Sequence, residues 1–247
     1  TAANAGSYTV VVTNSMGAVT NGPAGITIAT VVPGSYEAAI VASGPQAWWR
    51  LDESAGATIL FDAVGRHDGI YTNITGEVPL PTLGVAGALV GNDNTAVSFN
   101  GSGGVGLAPF SPELNPGKFS VELWVRTSDL AQLGVPASAS DSGGGWAWLA
   151  NAGNWNGYSP SDNGVAPLQN YPEYGATIAP GVWTHLVIAY DETVIIDGSA
   201  YPYRYWINGG NAGYVWQGDP ATTSGPFIIG GTDPAIRANR FFNGQVD

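Results

Sequence analysis

Two carboxyl groups about 5–5.5 Å apart can hydrolyse a glycosidic bond with retention, and alternate residues of one strand can hold them so. Near strand-like runs the acidic candidates are Asp52-Glu53, Glu122 and Asp191-Glu192. Asp52 and Glu53 are adjacent and face opposite ways, and Asp191-Glu192 stand at the end of a run. Glu122 lies in Ser120-Val121-Glu122-Leu123-Trp124, with hydrophobic residues where a second carboxylate should be. Its bland role is a semi-buried carboxylate bonded to Arg126 or a tyrosine hydroxyl. No catalytic residue is assigned. A Ser/His/Asp triad fares no better. His67 sits in a Gly/Asp-rich loop, His185 reads as a structural ring within a strand, and no G-x-S-x-G elbow is present.

Ligand binding is better supplied. Sugars stack their C–H faces on aromatic rings and satisfy their hydroxyls with amides, carboxylates and backbone. Residues 146–174 mix both types in a Gly/Ser/Pro/Asn-rich stretch. The candidate carbohydrate contacts there are Trp155, Tyr158, Tyr171 and Tyr174, with Asn156 and Asn170. Trp146, Trp148, Tyr205 and Trp216 sit on strand-like runs, where core filling is the more natural fate. Asp62 and Asp68 flank a short flexible loop. They could offer oxygens to Ca²⁺ or simply cap turns in solvent.

Something must position these residues, and composition bounds it. The chain has 247 residues, 44% hydrophobic, with 36 Gly, 17 Pro and no cysteine. That affords a core and excludes disulfides and thiolate chemistry. Lys118 is the single lysine, and the net charge of −12 disfavours a nucleic-acid partner. No apolar run approaches the ~20 residues of a membrane-spanning helix. Short β-branched and aromatic runs between Gly, Asn, Asp and Ser clusters predict an all-β fold. Expected strands are 47–51, 96–100, 105–107, 119–127, 145–151, 184–191, 203–208, 214–217 and 226–230. Asn208-Gly209 marks a hairpin turn.

Residues 1–31 read as a hairpin, 32–45 as a linker with a short apolar strand or helical turn, and 46–247 as one large domain. Asn4-Ala5-Gly6-Ser7-Tyr8-Thr9-Val10 resembles the D-x-G-x-Y-x-C signature of immunoglobulin-like domains. The resemblance makes Tyr8 a tyrosine-corner residue and puts Val10 in the place of the cysteine. Residues 1–31 then correspond to the F–G strands of such a domain, with its other strands upstream.

Four ordered segments resemble the bacterial laminin-G-like family of the concanavalin A-like lectin/glucanase superfamily. They are Trp48-Trp49-Arg50-Leu51-Asp52-Glu53 with Asp62–Gly69, and Ala96-Val97-Ser98-Phe99-Asn100-Gly101. Phe119-Ser120-Val121-Glu122-Leu123-Trp124-Val125 is the third. The last runs from Gly181-Val182-Trp183-Thr184-His185 through Tyr205–Gly209 and Ile228–Gly231 to Phe242–Asp247. The resemblance implies a two-sheet antiparallel jelly roll lacking its last strand, and a structural calcium held by Asp62 and Asp68 with help from Asp247. Its glucanase members carry an E-x-D-x-E-like strand that is absent here. The reading is a non-catalytic, lectin-like carbohydrate-binding module of a large secreted or cell-surface bacterial protein. Its partners would be a glycan and neighbouring domains of a longer chain. The alternative is a structural or adhesive spacer with no small ligand; a glycoside hydrolase comes third.

Overall fold

A computed structural model describes residues 6–22, 24–26, 31–76, 79–91, 93–141, 144–158, 176–191, 193–196, 199–200, 203–215, 224–233 and 240–247. It divides into two units, 1–45 and 46–247.

In the first unit, β1 (Gly6–Tyr8) pairs with β4 (Ala24–Ile26), and β2 (Val11–Asn14) pairs with β3 (Gly17–Thr20). The expected hairpin is present. Tyr8 and Val10 are exposed in this unit. The apolar part of the linker forms helix α1 (Tyr36–Ser43). Ser35 caps it by accepting from the Ala38 N–H, and Gly44 closes it in the left-handed conformation that glycine adopts freely.

The second unit is a two-sheet antiparallel jelly-roll sandwich. Its strands begin with β5 (Ile59–Leu60), β6 (Gly69–Asn73), β7 (Thr82–Ala86), β8 (Thr95–Asn100), β9 (Gly104–Ala108) and β10 (Lys118–Arg126). Next come β11 (Leu133–Asp141), β12 (Gly144–Asn151), β13 (Asn154–Tyr158), β14 (Ala176–Thr177) and β15 (Thr184–Asp191). The small ladder β16 (Ile195–Ile196) with β17 (Ser199–Ala200) precedes β18 (Tyr203–Ile207), β19 (Gly210–Val215), β20 (Phe227–Ile229) and β21 (Asn243–Val246). One sheet runs β19-β18-β15-β10-β21-β8-β7, and the other runs β14-β13-β12-β11-β20-β9-β6-β5.

Period-two alternation decides what enters the space between the sheets. On β15, Thr184, Leu186, Ile188 and Tyr190 are buried, while His185, Val187, Ala189 and Asp191 are partly exposed. On β10, Leu123 and Val125 go inward, and Lys118, Ser120, Glu122, Trp124 and Arg126 go outward. The core joins these to Trp146, Trp148, Trp155, Tyr203, Tyr205, Phe99 and Phe242. Trp146, Trp148 and Tyr205 are thus core residues, and Trp216 lies outside the described residues.

Two expectations change. Residues 47–51 form no strand and make only an isolated bridge, Trp49 to Asp62. β11 was not anticipated, because Pro136 cannot donate to a ladder and is rare within sheets. The β11–β12 register shifts between Gly134 and Ala137, which accommodates it, and the Pro136 carbonyl still accepts from the Gly230 N–H. That glycine is required twice over. Its φ is 91°, and a Cβ there would fall into the Phe99 ring. Gly230→Ala is expected to cost about 2–4 kcal/mol from left-handed strain plus overpacking, measured by urea unfolding. A loss below ~1 kcal/mol would mean that Phe99 moves aside freely.

Candidate functional site

The acidic residues considered for hydrolysis each have other duties. Asp52 pairs with Arg50 at 2.9 Å. Glu53 accepts from the Tyr71 hydroxyl and the Phe61 N–H, both at 2.7 Å. Burial, with the Glu53 bond and charge, pushes the Tyr71 phenol well up from its usual range. Asp191 accepts from Thr193 and Lys118, which hold its pKa down to about 2. Glu192 lies outside the described residues. Glu122 does not bond Arg126. It projects outward beside His185, whose Nε2 lies 3.7 Å from Oε2.

The carboxylates expected to hold calcium have protein partners. Asp62 is completely buried, and each carboxylate oxygen accepts two backbone N–H groups: Trp48 and Val64 on Oδ1, Arg66 and His67 on Oδ2. Those four bonds use the lone-pair sites a metal would need. Burial raises its pKa, the four N–H groups lower it, and the net is downward. Asp68 accepts from the Asp62 N–H and helps to close the same loop. Asp247 accepts from Ala88 N–H and from Asn94 Nδ2, and burial raises its pKa against those bonds. Among the described residues, no three His, Cys, Asp or Glu side chains gather where they could hold a metal ion. With its four sites taken, Asp62 has no oxygen left to offer a calcium ion. Asp62 is instead the hub of its loop, with the Trp49 indole donating to the His67 carbonyl beside it.

The loop-aromatic candidates separate. Trp155 is 1% exposed and faces the core near Phe242, because Asn154–Tyr158 is a strand and not a loop. Asn156 is buried on the opposite side of β13, and its amide donates to the Asn154 carbonyl. Neither presents itself to a sugar. Tyr171, Tyr174, Asn170 and the side chain of Tyr158 lie outside the described residues.

A different surface carries the partly exposed aromatics. On the outer face of the seven-stranded sheet, Glu122, Trp124 and Arg126 form one file along β10. In register beside it, Trp124 opposes His185 and Glu122 opposes Val187, which in turn opposes Trp206 on β18. The Trp124 and His185 rings meet at a tilt of 33°, their centroids 4.9 Å apart. The Arg126 guanidinium lies 4.9 Å over Trp183, and its Nε donates to Gln245 on β21. Arg204 lies 5.5 Å over Trp206. The Asn208 side chain, in the positive-φ turn expected at Asn208-Gly209, accepts from the His185 N–H.

The period-two signal for this face was in the sequence. Glu122-x-Trp124-x-Arg126 alternates with Val121, Leu123 and Val125, and Arg204-x-Trp206 alternates with Tyr203 and Tyr205. Searching loops for aromatics missed it. Chemically, three tryptophans supply apolar stacking surfaces, and Arg, His, Glu and Gln groups among them supply donors and acceptors. Along the β10 file, Trp124 and Arg126 stand where a second outward carboxylate would have to be. Glu122 has no acidic neighbour on that file.

Comparison with known proteins bears on the fold. No curated protein matches the chain by sequence. Among solved structures, the chain is similar to domain 4 of AbnA, a GH43 extracellular arabinanase from Geobacillus stearothermophilus, seen in complex with arabinotriose. The TM-score is 0.57 and the identity 20%, covering 79% of this chain and 91% of that one. It is more distantly similar to the receptor binding domain of botulinum neurotoxin mosaic serotype C/D. There the TM-score is 0.46 and the identity 12%, over 81% of this chain and 48% of that one, too remote to carry an argument. A model of the laminin-G-like group described as the concanavalin A-like lectin/glucanases superfamily matches residues 99–247, more than half of the chain and all of β10 to β21. With the two antiparallel sheets and the ordered motifs, that match settles kinship: the chain belongs to the concanavalin A-like lectin/glucanases superfamily.

Proposed function

We propose that this chain is a non-catalytic, glycan-binding module working outside the cell, and that it holds its ligand on the outer face of the seven-stranded sheet. The observation that carries the reading is the placement of Trp124, Trp183 and Trp206 on one partly exposed face, interleaved with hydrogen-bonding side chains. Stacking rings among polar groups is the surface chemistry sugars require. The non-catalytic reading is supported by Glu122, which has no second carboxylate on its strand. Sharing a fold with an arabinanase domain seen with arabinotriose is compatible with this reading and does not supply the sugar. No helix among the described residues is long and apolar enough to cross a membrane.

The test is titration calorimetry against a panel of soluble polysaccharides. Trp183→Ala and Trp206→Ala are each expected to weaken binding roughly three- to tenfold, the scale of one aromatic contact. Their melting curves should stay close to the parent's, because both rings are partly exposed. Absence of binding to every glycan would leave the spacer reading in its place. Binding that ignored these variants and followed Tyr171→Ala or Tyr174→Ala would move the site to residues 159–175.

A further inference from the structure

We propose that the ligand of this face is an acidic glycan, with uronate carboxylates taken by Arg126 and Arg204. The inference rests on the glycan-binding reading and names its substrate class.

Among the described residues three arginines lie over tryptophan rings, and they differ in one respect. Arg50, over Trp48, is paired with Asp52 and also donates to Asn94. Arg126 and Arg204 have no carboxylate partner among the described residues, in a chain with 19 acidic residues and 7 basic ones. Arg126 spends Nε on Gln245, and its terminal nitrogens have no hydrogen-bond partner among the described residues. The Nε of Arg204 is buried and has no hydrogen-bond partner among the described residues. A guanidinium set over an indole, with N–H groups unspent, is organised for a planar carboxylate. Such a pair is bidentate, and less entropy is lost because the fork is already oriented.

The placement also sets the ligand's length. Arg126 lies over Trp183, just beyond the Val125–Thr184 end of the β10–β15 ladder, while Arg204 lies level with Ala189 and Ser120. That is six residues along β10, roughly 20 Å at a strand's rise. Trp124 and Trp206 lie between the two levels. An extended oligomer laid along the strands can meet both guanidiniums and stack between them; a single sugar cannot.

Two features oppose an anion and must be outweighed. The net charge of −12 slows approach, but beyond a screening length of about 8 Å it is largely damped at physiological salt. Glu122 is closer to the path and 48% exposed, beside His185. It should repel a uronate, so its removal makes a second, opposite test. Asp191 is paired with Lys118, and Asp247 accepts from Asn94.

The experiment measures binding of the intact chain to polygalacturonate, its methyl ester, dextran and dextran sulfate. Polygalacturonate is expected to bind, and methyl esterification to abolish most of the affinity. Arg126→Gln and Arg204→Gln should each cost roughly tenfold or more, the range of a charge-assisted hydrogen bond. Arg204→Lys, which keeps charge and loses the fork, should recover only part. Glu122→Gln should tighten binding severalfold, an effect that damage to folding would not produce. Equal binding of the methyl ester or of dextran would overturn the acidic class while leaving the glycan face standing. Binding of dextran sulfate alone would replace carboxylate by sulfate and overturn the uronate assignment. No binding to any of the four, nor to the wider panel, would remove both proposals.

Discussion

Asp62→Ala is expected to destabilise the jelly-roll unit by about 3–5 kcal/mol, because it strips a buried charge from four backbone N–H groups at once. The measurement is urea unfolding of the full chain. Asp62→Asn keeps the shape, yet its amide nitrogen would face two of those donors, so an intermediate loss is expected. The pH dependence follows from the same geometry. Burial pushes the carboxyl up, the four N–H groups outweigh it, and the folded pKa lies below the ordinary value. A depressed folded pKa contributes stability that is full above the unfolded value of about 3.9 and is lost as pH falls through the folded one. The gap between parent and Asp62→Asn should therefore be flat from neutral pH down to about 5 and narrow below about 4. A gap that stays constant to the lowest pH would show that shape, and not charge, holds the loop. Added calcium should leave the parent's midpoint unchanged, since the four bonds already occupy the carboxylate. A large calcium-dependent rise would restore the metal reading for Asp62.

The second large effect concerns the core. Trp148 is buried on β12 and meets the Tyr205 ring edge-on at 5.1 Å across the sandwich. Trp148→Ala should cost about 3–5 kcal/mol, and Tm should fall by roughly 10 °C in a chain of this size. Trp148→Phe should cost much less. The indole N–H of Trp148 has no hydrogen-bond partner among the described residues, so phenylalanine loses contact area and no hydrogen bond. If both variants fall equally, that N–H is satisfied in solution by a water. The same comparison at Trp146, whose N–H is also unpartnered, tests whether this is general to the aromatic core.

Much of the sandwich was legible because period-two alternation is a local property. Thr184–Asp191 was read with the bounds it has, and Phe119–Thr127 was displaced by one residue from β10. Strands that break the local pattern were not read. β11 contains Pro136 and four residues of the Ala/Ser type in its second half, and it is a central strand because β12 and β20 pair with it on either side. β21 is four residues long and carries Gly244, yet it sits between β10 and β8. A Cβ at Gly244 would run into the Arg126 carbonyl and the Phe242 ring, so the motif glycine is a matter of close approach.

Sequence alone determined the fold class, the absence of cysteine and the position of most of β10 and β15. Each follows from residue types or from alternation along a single strand. Tertiary structure decided which aromatics remain near solvent and which acids are spent. Trp155 looks like a loop residue until β12 and β13 pair and turn it inward. Asp62 looks like a metal ligand until the chain folds four amides onto it. Trp183, Trp124 and Trp206 become one face only through the register of β10, β15 and β18, which sequence distance cannot show. Neighbours across a sheet are set by hydrogen-bond pairing between segments far apart in the chain, and that is where a ligand surface is made.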